Sequence, residues 1–124
     1  MKQTRRENAF RALLVLGAAV SIAIGVWAIV GDLHSVFGTA ASPGLARLYG
    51  AAMLALGIGY AVAATQPHAY RGLLVVLFAA PAITAIVQVA NLARGDVPAA
   101  RGLAFAIFEF AYCLLFFRVY PRMK

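Results

Sequence analysis

The sequence predicts an all-α integral membrane protein, an antiparallel four-helix bundle with both termini in the cytoplasm. Of the 124 residues, 64% are hydrophobic and 12% are charged, against roughly 25% charge in ordinary soluble domains. A water-soluble fold would lack the polar surface to cover itself. The apolar residues also gather in four runs, each long enough for a hydrocarbon core that takes about 20 helical residues to cross. Lipid tolerates no open sheet edge, and the alternation of a membrane barrel is absent, so strands are excluded. Finally, the 11 Lys and Arg residues divide unequally between the two ends of the runs.

The first helix is expected over about residues 10–31, because Ala12 to Gly31 carries no charge. Lys2, Arg5, Arg6 and Arg11 ahead of it, and the small residues "GTAAS" after it, resemble a cleaved leader. Its apolar region of about 20 residues exceeds the roughly 7 to 15 of a leader, so a retained helix is expected. The second helix is expected over 43–65. Ser42-Pro43-Gly44 offers an N-cap followed by proline at the first helical position, and Thr65-Gln66-Pro67 ends it. The third, over 70–93, is uncharged from Gly72 to Ala93, and Pro81 in "AAPA" is expected to kink it. The fourth, over 98–119, is introduced by "GDVP" at Gly95 to Pro98 and closed by Pro121. Short connections leave a single transmembrane domain over 1–124.

The net charge of +7 does not point to nucleic acid, since the arginines stand singly between apolar runs instead of forming a patch. Their partners are anionic headgroups of the bilayer. With the amino terminus inside, eight basic residues lie on the cytoplasmic side, namely Lys2, Arg5, Arg6, Arg11, Arg71, Arg118, Arg122 and Lys124. Three lie outside: Arg47, Arg94 and Arg101. This asymmetry sets the orientation, with both termini in the cytoplasm. Arginine precedes each helix in "FRALL", "ARLYG", "YRGLL" and "ARGLA", and interfacial anchoring explains all four without an internal repeat. Cys113 stands alone, with no disulfide partner and no CxxC, and reads as a small buried hydrophobe. His34 and His68 fall on opposite sides of the membrane, so no shared metal is expected and each reads as a solvated loop residue.

Helices in lipid associate through close approach. Gly17, Ser21 and Gly25 form a small-residue ridge on the first helix, and Gly50, Gly57 and Ala61 a comparable face on the second.

Glu109 is the single charge between Arg101 and Arg118, and an ionised carboxylate in hydrocarbon is costly unless something holds it. Counting from Gly102, it lies roughly 10 Å beneath the outer boundary. On the third helix Gln88 and Thr84 share a face at depths of roughly 6 and 12 Å, bracketing it. Tyr112 follows on the carboxyl's own face. Asn91, Asp32, His34, Arg47 and Arg94 collect near the same end, while the inner half holds chiefly Tyr60. A polar pocket in the outer half is therefore expected, with Glu109 neutral and hydrogen-bonded to Gln88 or Thr84 unless Arg47 reaches down to pair with it. Its ligand-binding or proton-linked residues would be Glu109, Tyr112, Gln88, Thr84, Asn91 and Arg47.

"RLYGAAMLALGIGYA", Arg47 to Ala61, followed by a proline-containing turn, a long apolar third helix and a glutamate in the fourth, resembles the DoxX-like group of small bacterial four-helix membrane proteins. The resemblance covers most of the chain from Gly31 onward. It implies a membrane protein that can serve as a subunit of a quinone-linked oxidoreductase, with a pocket open to lipid.

The reading carried forward is a non-catalytic membrane subunit or binding protein, alone, as a homo-oligomer or in a larger complex, that holds a lipophilic molecule such as a quinone or lipid. The alternative is a small proton-coupled exporter acting as a homodimer, although that family places its glutamate in the first helix, where this chain has none. An enzyme is disfavoured, because no nucleophile–base pair or metal cluster assembles on one side. No cofactor motif is present.

Overall fold

A computed structural model describes residues 2–30, 43–95 and 99–120. The expectations placed on Asp32, His34, Ser42, Asp96, Pro98 and Pro121 lie outside the described residues. Four helices make up the architecture: α1 (Lys2–Val30), α2 (Pro43–Thr65), α3 (Arg71–Arg94) and α4 (Ala99–Val119). No strand occurs among the described residues. Each helix contains a stretch long and apolar enough to cross a bilayer. Their outward faces are apolar as well: Val75, Leu114 and Phe117 are 67%, 71% and 77% exposed. In water so much contiguous apolar surface would drive association, whereas in lipid it is the face that meets the solvent. The chain has the build of a small multi-pass membrane protein.

The helix ends follow from local chemistry. Helix α1 begins at Lys2, ahead of the start near residue 10 that the apolar run suggests, because its polar first turns have tertiary partners. Arg6 Nη2 donates to Arg118 O at 2.6 Å, covering one of the carbonyls that the last turn of α4 leaves without a helical donor. His68 is the exposed turn histidine expected, and it has a carboxylate beside it: Glu7 Oε1 lies 3.0 Å from His68 Nε2. Thr65 Oγ1 donates to Val62 O at 2.6 Å and finishes α2. Helix α3 ends on Gly95, whose φ of 72° lies in the left-handed region and turns its N–H back onto Asn91 O and Leu92 O.

The helices associate chiefly as two pairs, α1 with α2 and α3 with α4, with sparser contact between the pairs. Glycine permits the closer approach. A methyl group added at Gly25 would stand 2.8 Å from Gly50 O, and one added at Gly50 would stand 2.7 Å from Gly25 O. Farther along, Gly57 lies over Ala18 and Ile22. Ala61, expected on this face, is exposed; the buried stripe of α2 passes instead to Tyr60 and Ala63.

Near the start of α1 and the end of α4 the space between the pairs is filled by rings. Phe116 meets Phe10 edge to face at 5.0 Å and Phe78 at 5.4 Å, and Tyr120 meets Phe10 at 5.5 Å. Leu14, Leu74 and Leu77 complete this core.

Candidate functional site

Two tyrosines close the site from below. Proline has no N–H, so Pro81 leaves Leu77 O without its helical donor while α3 continues through it. Tyr60 of α2 supplies the missing hydrogen bond, its hydroxyl donating to Leu77 O at 2.7 Å. Tyr112 of α4 donates to Leu13 O of α1 at 3.0 Å. That hydroxyl fits because residue 17 is glycine: a methyl group there would collide with Tyr112 Oη and stand 3.0 Å from the Tyr60 ring. Each hydroxyl thus ties a helix of one pair to a helix of the other. The two rings meet nearly perpendicular, with centroids 6.0 Å apart, and both residues are buried.

Above this floor a cavity of about 280 Å³ opens between the pairs, toward the C-terminal ends of α1 and α3 and the N-terminal ends of α2 and α4. Its walls are mostly apolar, from Val20 and Ile24 on α1, Met53 and Leu56 on α2, and Phe105 and Phe108 on α4. Of the six residues expected in a polar pocket, Glu109, Tyr112, Gln88, Thr84 and Asn91 line it. Arg47 does not line it and is exposed. Tyr49 from the same turn of α2 does, as does Arg101 near the start of α4.

The ridge on α1 divides. Gly17 and the buried Ser21 line the cavity, whereas Gly25 packs on Gly50 and serves the α1–α2 contact.

The bond expected between Glu109 and Gln88 or Thr84 is not made. Thr84 Oγ1 donates to Ala80 O at 2.8 Å, the local back-bond by which a hydroxyl in an apolar helix satisfies itself. Glu109 Oε2 and Gln88 Oε1 are buried with no hydrogen-bond partner. An unpaired buried polar atom costs about 1 to 3 kcal/mol, so these two oxygens are high-energy groups of the bundle. Cys113 is a half-buried free thiol and does not line it. Among the described residues no three His, Cys, Asp or Glu side chains gather as metal ligands. The arrangement is a mostly apolar chamber whose lining residues include Glu109, Gln88, Thr84 and Asn91.

Tyr60 is the site residue that helix-depth reasoning left in the opposite half. Its signal was present in the sequence as Pro81, which leaves a carbonyl four residues earlier in need of an outside donor.

Compared with family models, with curated proteins and with solved structures, the chain matches none.

Proposed function

We propose that the chain is a non-catalytic binding protein or membrane subunit of a bacterial inner membrane, whose cavity holds a lipophilic molecule such as a quinone or lipid. The bundle in this reading is antiparallel, both termini are cytoplasmic, and the cavity opens in the outer half. The cavity itself carries the proposal, since apolar walls with a few convergent polar groups suit a ligand that is mostly hydrocarbon with a polar head. Its position between two helix pairs, in a chain with lipid on all sides, gives such a ligand a lateral way in. The eight-to-three distribution of basic residues supports the orientation. The likeness of Arg47 to Ala61 to the DoxX-like group supports the assignment as a subunit.

Two measurements test the reading. In a Cys113→Ala background, a cysteine at Gln66 should resist an impermeant reagent in intact cells while one at Ala99 is labelled; the reverse pattern refutes the orientation. Mass spectrometry of the protein released intact from native-lipid discs should find one lipophilic molecule retained per chain. Release of bare protein under conditions that keep a control lipid-binding protein loaded argues against a binding cavity.

A further inference from the structure

The reading of the cavity as a lipophile site leaves the polar head unspecified, and the open end of the chamber narrows it. Arg101, Phe105, Phe108, Glu109 and Tyr112 stand at i, i+4, i+7, i+8 and i+11 along one face of α4, and all five line the chamber. From the open end inward, that face presents a guanidinium, two phenyl rings, and then the carboxyl and the tyrosine floor. Arg101 is exposed, so its donors are open to an occupant, whereas Glu109 Oε2 is buried and eight residues farther in, about 12 Å of helix rise. Asn91, in the last turn of α3, lines the chamber toward the same end.

The chemistry of Arg101 selects one class of head. A guanidinium only donates, through five N–H groups in a planar fork that matches carboxylate and phosphate, and such charge-assisted bonds are roughly twice as strong as neutral ones. Arg101 also has an interaction within the protein, and five donors let it keep that partner and receive another. A quinone carbonyl or an alcohol would meet the fork without a charge, and a cationic head would be repelled by it. Arg47 and Arg94 belong to the same end of the bundle and are exposed, but neither lines the chamber, which suits the interfacial anchoring expected of them. With a head at Arg101, a chain directed inward runs past Phe105 and Phe108 of α4 and among Val20, Ile24 and Met53. The helix rise between Arg101 and Glu109 keeps an anionic head away from the carboxyl.

We propose that the cavity takes an anionic lipophile, an apolar chain that enters the chamber with a carboxylate or phosphate head held at the open end by Arg101. The inference rests on the lipophile-binding reading above, and the test separates the two.

The full chain in phosphatidylcholine nanodiscs, which carry no net charge, would be titrated with single-chain ligands of one tail length. The heads compared would be a carboxylate, a phosphate monoester, an alcohol, a trimethylammonium and a benzoquinone. The better of the two anions should bind at least about tenfold more tightly than any of the other three, and which anion it is names the head. Arg101→Gln should abolish that preference, while Arg47→Gln and Arg94→Gln made together should leave it intact. Equal or tighter binding of the alcohol, the quinone or the cation overturns the head-group inference and leaves the lipophile cavity standing. Retention of the preference by a folded Arg101→Gln protein also overturns it, as does its loss in the Arg47→Gln, Arg94→Gln protein, which would assign the effect to general surface charge. If Arg101→Gln does not fold, Arg101→Lys takes its place, and because it keeps the charge without the fork it must lower the preference. Failure of every ligand to bind removes the lipophile reading and this inference with it. A final arm adds phosphatidylglycerol to the discs. Competition with the anion identifies a lipid headgroup as the source of the same chemistry, and its absence identifies a free single-chain acid; either result requires the anion preference and supports it.

Discussion

On one side of Tyr60 and Tyr112 the helix pairs are joined by Phe10, Phe78, Phe116 and Tyr120, ring against ring. On the other side the same pairs are separated by a chamber with Glu109, Gln88 and Asn91 in its wall. The helices are the same four, so the difference lies in what fills the gap. Large rings complete the packing near the chain termini. Beyond the tyrosines α1 presents Val20, Ser21 and Ile24 to the chamber. Beside the chamber the α1–α2 contact stays tight, because Gly25, Gly50 and Gly57 hold the two backbones together. The cavity is thus a consequence of how the two pairs meet.

The largest expected contrast comes from emptying a ring site in each half. Phe116 is 2% exposed and touches four other rings, so Phe116→Ala should lose about 3 kcal/mol of stability. Phe108, at the cavity and 42% exposed, should lose about 1 kcal/mol or less when changed to alanine, discounted for the part of the ring already outside the core. Reversible unfolding in mixed micelles measures both, and similar losses would mean that the halves are packed alike.

Next is the floor. Gly17→Ala should cost about 1 to 3 kcal/mol by forcing the added methyl against Tyr112 Oη. The cost should shrink in a Tyr112→Phe background, where that oxygen is gone, and strict additivity of the two changes would contradict the assigned contact.

A smaller effect tests the link between Tyr60 and Pro81. Tyr60→Phe should cost about 1 kcal/mol by leaving Leu77 O unpaired. The same change made on Pro81→Ala should cost close to nothing, because residue 81 then brings its own N–H to that carbonyl. An undiminished cost there would show that the hydroxyl matters for some other reason.

The smallest stability effect belongs to the cavity wall. Glu109 Oε2 has no partner to lose, so Glu109→Gln should change stability by no more than about 0.6 kcal/mol, the average for a membrane interhelical hydrogen bond. A loss several times larger in unfolding assays would make Glu109 part of the packing and not of a ligand site.

Much of this was legible from the chain alone. Four apolar runs had to become four helices, because hydrocarbon offers no partner to an unpaired backbone group. Pro43 and Thr65 marked helix ends that the structure bears at the same residues. Helix rise alone put Glu109 at the level of Gln88 and Thr84, and a common chamber contains all three. The rise fixes depth but not azimuth, so Arg47 could be placed at the right level and still face outward. Tertiary structure decided what depth cannot: which helices pair, that Thr84 bonds its own helix, and that Tyr112 reaches Leu13 across 99 positions of sequence. Those choices depend on which side chains meet where the two helix pairs come together. Lipid, which solvates every apolar face equally well, leaves that meeting to shape and to the few hydrogen bonds the helices can exchange.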